Sequence, residues 1–223
     1  MGHRFGRLVA AGAAGYLMGA FPSADAAARL ATRGETDLRA AGSGNPGAAN
    51  AIALLGPRWG YGVMAADIGK GAIAARVGSA IAGDSGAHLG GVGAVAGHCF
   101  PWYANFRGGK GVAASAGQCL ATFPAYFPID LAVAGITGVI PWWRKRAFAT
   151  TAVSSSVWIA ACVLWWRKGW PNLWGPRPAA SLPAAALATS AMITYKFATA
   201  TRPPPMARPQ DVSPDTDLSE DTR

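Results

Sequence analysis

The chain is predicted to be all-α, a polytopic integral membrane helix bundle of about seven spans, some of them short. Three observations lead there. Its 223 residues are 51% hydrophobic and 14% charged, against roughly 25% charged in an average soluble domain. Apolar stretches recur at lengths that suit a bilayer. The arginines and lysines fall between those stretches and not along one polar face, which fits an anionic membrane surface better than a nucleic acid.

The first apolar run begins at Leu8, after Arg4 and Arg7, and the span is expected over residues 8–32. Ala24-Asp25-Ala26 also has the small-x-small form of a signal-peptide cleavage site. Arg29, Arg33, Arg39 and Arg58 surround the loop that follows, so the positive-inside bias places it in the cytoplasm, against the weaker vote of the two N-terminal arginines. A second span is expected over 60–82 and carries Asp67 and Lys70. Residues three apart share a helix face, so a mutual ion pair is expected there in preference to a catalytic Asp67. A third span, from about 87 to 105, is so rich in glycine that it suits close helix packing inside a bundle.

From Val112 to Trp143 the chain is apolar but interrupted by Pro124, Pro128 and Asp130. Two short helices meeting at Phe123–Pro128 on the outer face are expected, which returns Arg144-Lys145-Arg146 to the cytoplasm. A further span covers 148–166, an outer interfacial loop carries Trp170 and Trp174, and the last span covers 180–198 and ends near Lys196. Residues 1–200 thus form the membrane domain. Residues 201–223, proline-rich and then acidic, bury too little apolar surface to fold and are expected to be a disordered cytoplasmic tail. Cys99, Cys119 and Cys162 lack metal-ligand spacing and read as small apolar residues.

Two stretches carry chemistry. Residues 97–112 put three glycines and Lys110 where an aromatic-rich run ends, and Gly108, Gly109 and Gly111 would leave backbone N–H groups open to an anionic oxygen. The structural alternative is a flexible turn with a snorkelling lysine. Gly42-Ser43-Gly44-Asn45-Pro46-Gly47-Ala48-Ala49-Asn50 offers the same kind of small residues and amides; the alternative is a tight loop held by asparagine-to-backbone bonds. His98 is either a packing residue or a group that orients Lys110 or a phosphate oxygen. Two such loops at a membrane edge point to phosphate binding.

Gly-Ser-Gly-Asn-x-Gly-Ala-x-Asn, followed by Gly-His-x-Phe-Pro and Gly-Gly-Lys-Gly-Val-Ala, resembles the bacterial glycerol-3-phosphate acyltransferases of the PlsY type, which use acyl phosphate as donor. The likeness runs from about Gly15 to Val112 and includes Gly15-Tyr16-Leu17-x-Gly19 and Pro22, which argues that the first segment is retained. It implies an enzyme of phospholipid biosynthesis in the bacterial inner membrane. Acyl phosphate and sn-glycerol 3-phosphate would give 1-acylglycerol 3-phosphate and inorganic phosphate, with membrane lipids around the bundle and with no cofactor, metal or nucleic acid. Lys110 and Ser43 would be catalytic. Gly44, Asn45, Gly47, Asn50, Arg58, His98, Gly108, Gly109 and Gly111 would bind substrate, the Gly108–Gly111 loop holding the donor phosphate.

The chain departs from that pattern at several positions. Ala53 stands where the family carries arginine and Ala49 where it carries threonine, while Ala149 or Thr150 occupies the place of a serine. Tyr195-Lys196-Phe197-Ala198 stands where His-x-x-Asn is expected. Arg58, Lys196 and Arg202 are the cations available to compensate. A second reading is therefore a lipid-phosphate-binding membrane protein or regulator without turnover. A small transporter is a third, with no internal repeat to support it.

Overall fold

A computed structural model describes residues 2–139 and 147–200; Arg144–Arg146, Arg202 and the 201–223 tail lie outside the described residues. The described secondary structure is helical throughout: α1 (Gly2–Gly19), α2 (Ser23–Thr32), α3 (Ala48–Leu55), α4 (Pro57–Cys99), a 3-10 turn (Trp102–Ala104), α5 (Val112–Thr122), α6 (Phe127–Val139), α7 (Ala147–Lys168) and α8 (Ser181–Ala198).

The first expected span is two helices. Proline has no N–H to continue the helical ladder, and at Pro22 the chain breaks between α1 and α2. The Phe21 carbonyl accepts instead from Lys70 Nζ at 3.3 Å. Helix α2 packs its alanines with Leu38, Ala51 and Val63 into a small apolar core that supports the first loop. The third expected span also ends early, at Cys99, where Pro101 and the 3-10 turn take over.

Helix α4 doubles back on itself. Gly83 adopts φ 64, ψ −153 and Ala82 leaves the helical region, so residues 57–81 and 84–99 form an antiparallel hairpin. Its limbs touch backbone to backbone: a Cβ added at Gly78 would lie 2.2 Å from Gly86 O, and one at Gly90 would lie 2.3 Å from Ala74 O. Helix α1 runs alongside the second limb with Gly15 on Gly90 and Gly19 on Ala94, while α5 lies on the first limb with Gly71 on Ala114 and Gly117 on Ile68. The glycines seen in the sequence are this contact surface.

Large apolar residues face outward instead, among them Val9, Leu17, Ile73, Leu131, Ile136, Val153, Val157 and Leu187. Small residues inside with large apolar ones outside is the packing expected in lipid, where burying a leucine against protein gains little over leaving it in the acyl chains. Among the described residues, Phe148–Lys168 is the one helix long and apolar enough to cross a membrane by itself, with a mean hydropathy of 1.5. The break expected at 123–128 is present, between the end of α5 at Thr122 and the start of α6 at Phe127. Phe123 stacks on Tyr126 there and meets Trp165 edge-on, Trp165 meets Trp170 edge-on, and Asn172 Nδ2 donates to Thr122 O at 3.0 Å. The opposite end of the bundle carries the two loops.

Candidate active site

Asn50 organises the first loop. It lies in the first turn of α3, not in the loop itself, and is buried. Its Oδ1 accepts from Ser43 N–H at 2.9 Å, and its Nδ2 donates to Leu38 O at 2.9 Å and Ala41 O at 3.1 Å. One amide thus satisfies groups along residues 38–43 and turns Ser43, Gly44 and Asn45 outward. Gly42 sits at φ +62, where an added Cβ would lie 2.3 Å from Asn50 Oδ1. Both facts require glycine.

The second loop is held just as closely. Gly108 N–H donates to Cys99 O at 3.1 Å and Gly109 N–H to His98 O at 3.0 Å. A Cβ on Gly108 would lie 2.0 Å from His98 O, and one on Gly109 would lie 2.2 Å from His98 Nε2. Gly111, at φ +87, caps α5 against Cys99 Sγ. The expectation that Gly108 and Gly109 offer free amides to a phosphate is therefore corrected: those amides are engaged within the protein, and the glycines serve close packing. The same holds for Gly44, whose N–H donates to Ala41 O, and for Gly47, whose N–H donates to Asn45 O. Those four amides are not free for an anion.

The two loops converge. A cavity of about 200 Å³ is lined by Ser43, Gly44 and Asn45 from the first loop, by Arg107, Gly108 and Lys110 from the second, by Lys196, Thr199 and Ala200 at the end of α8, and by Arg39. Arg39 ties the loops together, its Nε donating to Arg107 O at 3.0 Å while its guanidinium pairs with Asp25. Lys110 Nζ lies over the ring of Phe197, 4.5 Å from its centre. Burial lowers the pKa of Lys110, because a desolvated ammonium is penalised. No acidic side chain lines the cavity, and among the described residues no carboxylate pairs with Arg107, Lys110 or Lys196.

His98 lies below this cleft. It is buried with its Nδ1 3.5 Å from Asp67 Oδ1, the oxygen that also accepts from Ser23 Oγ at 2.5 Å and from Lys70 Nζ at 2.9 Å. The Asp67–Lys70 pair is thus present and extended by Ser23 from α2 and by His98 from the second limb of α4. With Gly109 against its ring, His98 supports the second loop and is not a lining residue. Arg58 is exposed in the first turn of α4 and does not line the cleft. Arg39, Arg107 and Thr199 do line it, though sequence reading did not single them out as site residues. Arg107 adjoins the Gly-Gly-Lys run and was open to discovery on that ground; nothing local marks Thr199. Among the described residues no three His, Cys, Asp or Glu side chains gather to hold a metal ion.

A family model described as glycerol-3-phosphate acyltransferase matches residues 9–202. Proteins named glycerol-3-phosphate acyltransferase include that of Thermoanaerobacter sp. (strain X514), 40% identical over 104 residues, 47% of this chain and 52% of the relative. Another is that of Dinoroseobacter shibae (strain DSM 16493 / NCIMB 14021 / DFL 12), 36% identical over 156 residues, 70% of this chain and 71% of the relative. The match to the first of these spans about half of its length, 52%. Among solved structures, the glycerol 3-phosphate form of PlsY (YgiH), an integral membrane glycerol 3-phosphate acyltransferase, superposes with a TM-score of 0.64 at 27% identity, covering 87% of this chain and 88% of that one. Its lysophosphatidic acid form superposes with a TM-score of 0.64 at 26% identity, covering 85% and 87%.

Proposed function

Because this chain belongs to the glycerol-3-phosphate acyltransferase family, we propose that it moves a fatty acyl group from acyl phosphate to sn-glycerol 3-phosphate in the bacterial inner membrane. The observation that carries this reading is the cleft itself: Arg39, Arg107, Lys110 and Lys196 around a cavity of about 200 Å³ without an acidic lining residue. Like charges gathered in a half-buried site repel one another, and an anion relieves that repulsion. Two phosphorylated substrates supply the anionic charge.

In this mechanism the acceptor hydroxyl oxygen attacks the acyl carbonyl carbon. The carbonyl carbon–oxygen bond to the phosphoryl group breaks, and the hydroxyl proton leaves with the inorganic phosphate. Lys110 and Arg107 stabilise charge on the departing phosphate, while Ser43 and Asn45 orient the attacking alcohol. No histidine or carboxylate lines the cleft to activate Ser43 as a nucleophile, which favours direct transfer between bound substrates. The acyl tail extends into the bilayer from a multi-pass bundle whose two loops and α8 terminus face the cytoplasm; their shared cleft supports a position on one side of the membrane, and the arginines around the first loop support that side being cytoplasmic.

Purified full-length protein supplied with acyl phosphate and glycerol 3-phosphate should form lysophosphatidic acid and release inorganic phosphate, detected by mass spectrometry and phosphate assay. Tyr195 and Ala198, standing where the family carries histidine and asparagine, favour one competing reading, a phosphate-binding protein without turnover. Binding of both substrates with no product under any phosphorylated polyol would establish that reading and overturn the enzyme.

A further inference from the structure

Of the three cations that the sequence leaves to compensate for the altered C-terminal motif, Arg58 is exposed away from the cleft and Arg202 lies outside the described residues. Lys196 lines it. It occupies the last turn of α8, half-buried, with Nζ 5.4 Å from the centre of the Phe100 ring. The neighbouring motif positions turn elsewhere: Tyr195 is exposed and its ring lies 6.0 Å from that of Phe100, while Ala198 carries no polar atom.

A lysine in the last turn of a helix also complements the helix dipole. That role asks only that the charge be near the terminal carbonyls. It does not ask that the ammonium share a small cavity with Arg107 and Lys110, where the three repel. The ring of Phe100 holds an ammonium more weakly than a charge-assisted hydrogen bond to phosphate does, so the lysine rests where an incoming phosphate can take it.

We propose that Lys196 binds the phosphate of the acceptor and so makes this chain select a phosphorylated alcohol; this rests on the acyl-transfer reading given above. The acceptor is favoured over the donor because Thr199 and Ala200, the lining residues next to Lys196, are exposed at the mouth of the cleft. A small water-soluble substrate enters by that mouth, whereas the donor's acyl tail is drawn from the bilayer.

The test compares full-length wild type, Lys196→Met and Lys196→Arg in detergent. With acyl phosphate saturating, Lys196→Met should raise the KM for glycerol 3-phosphate by about tenfold or more, as expected for a lost charge-assisted contact. The KM for acyl phosphate should stay unchanged, and Lys196→Arg should restore most of the difference. An unchanged KM for glycerol 3-phosphate, or an equal rise for both substrates, overturns the proposal. Equilibrium binding of glycerol 3-phosphate without donor separates the two readings. Binding weakened by Lys196→Met in a protein that makes no product sustains the role of Lys196 and sinks acyl transfer. Turnover by wild type with unweakened binding by Lys196→Met sinks the role of Lys196 alone. Should Lys196→Met lose its cooperative thermal transition, Lys196→Gln takes its place in both measurements.

Discussion

Lys110 Nζ lies 4.5 Å from the centre of the Phe197 ring, and the residue before that phenylalanine, Lys196, lies over Phe100 at 5.4 Å. The second loop and the end of α8 thus exchange a lysine for an aromatic ring, and both ammonium groups are held at the cleft. Replacing Lys110 by alanine removes a donor from the site where charge develops on the leaving phosphate. A fall in kcat/KM of about 100-fold or more is expected, measured by steady-state release of inorganic phosphate. Phe197→Leu keeps the charge and loosens only its perch, so its effect should be much smaller.

The same lysine gives the reaction a pH dependence. Burial lowers its pKa from the ordinary lysine value of 10.5, and the cationic form needed for phosphate is lost as pH rises through that lowered value. The alkaline limb of the kcat/KM profile should therefore fall at a lower pH than an unperturbed lysine would give. Lys110→Arg should move that limb upward, since guanidinium stays charged. An alkaline limb identical in the two proteins would assign it to another group.

Ser43 faces a cleft lined by no histidine or carboxylate. Incubation with acyl phosphate in the absence of acceptor should leave the intact mass of the protein unchanged, and Ser43→Ala should lower kcat without abolishing product. A stable mass gain of one acyl group on wild type, lost in Ser43→Ala, would show a covalent intermediate instead.

Asn50 makes three hydrogen bonds that shape residues 38–43. Asn50→Ala leaves the buried Leu38 carbonyl without its partner, at a cost of about 1–3 kcal/mol for a buried group left unsatisfied, and frees the Ser43 amide, while Ala41 O keeps its bond from Gly44 N–H. Thermal unfolding should show a lowered midpoint, and substrate binding should weaken along with it.

Asp67 is 1% exposed and accepts from Ser23 and Lys70. Asp67→Asn strands a buried lysine, which typically costs about 3–5 kcal/mol. Asp67→Asn combined with Lys70→Met removes both charges and should recover much of that loss. Equal midpoints for the single and double variants would show that the charges do not couple.

Several features of this molecule follow from local chemistry and were open to reading in the chain. A shortage of charge and a run of apolar segments require a helical membrane bundle, because a backbone in lipid must satisfy its own hydrogen bonds. Three-residue spacing put Asp67 and Lys70 together, and Pro124 and Pro128 marked the break between α5 and α6. Positive charge between apolar runs set both glycine-containing loops at one end. Folding alone decided which groups at that end are free. The amides of Gly44, Gly47, Gly108 and Gly109 are taken by neighbouring carbonyls, and Arg39 reaches across to Asp25 and Arg107 O. Of the cations near the membrane edge, Lys196 enters the cleft whereas Arg58 does not. Those outcomes depend on which atoms come to lie opposite one another when helices distant in the chain pack backbone to backbone, and no spacing along a single segment encodes that.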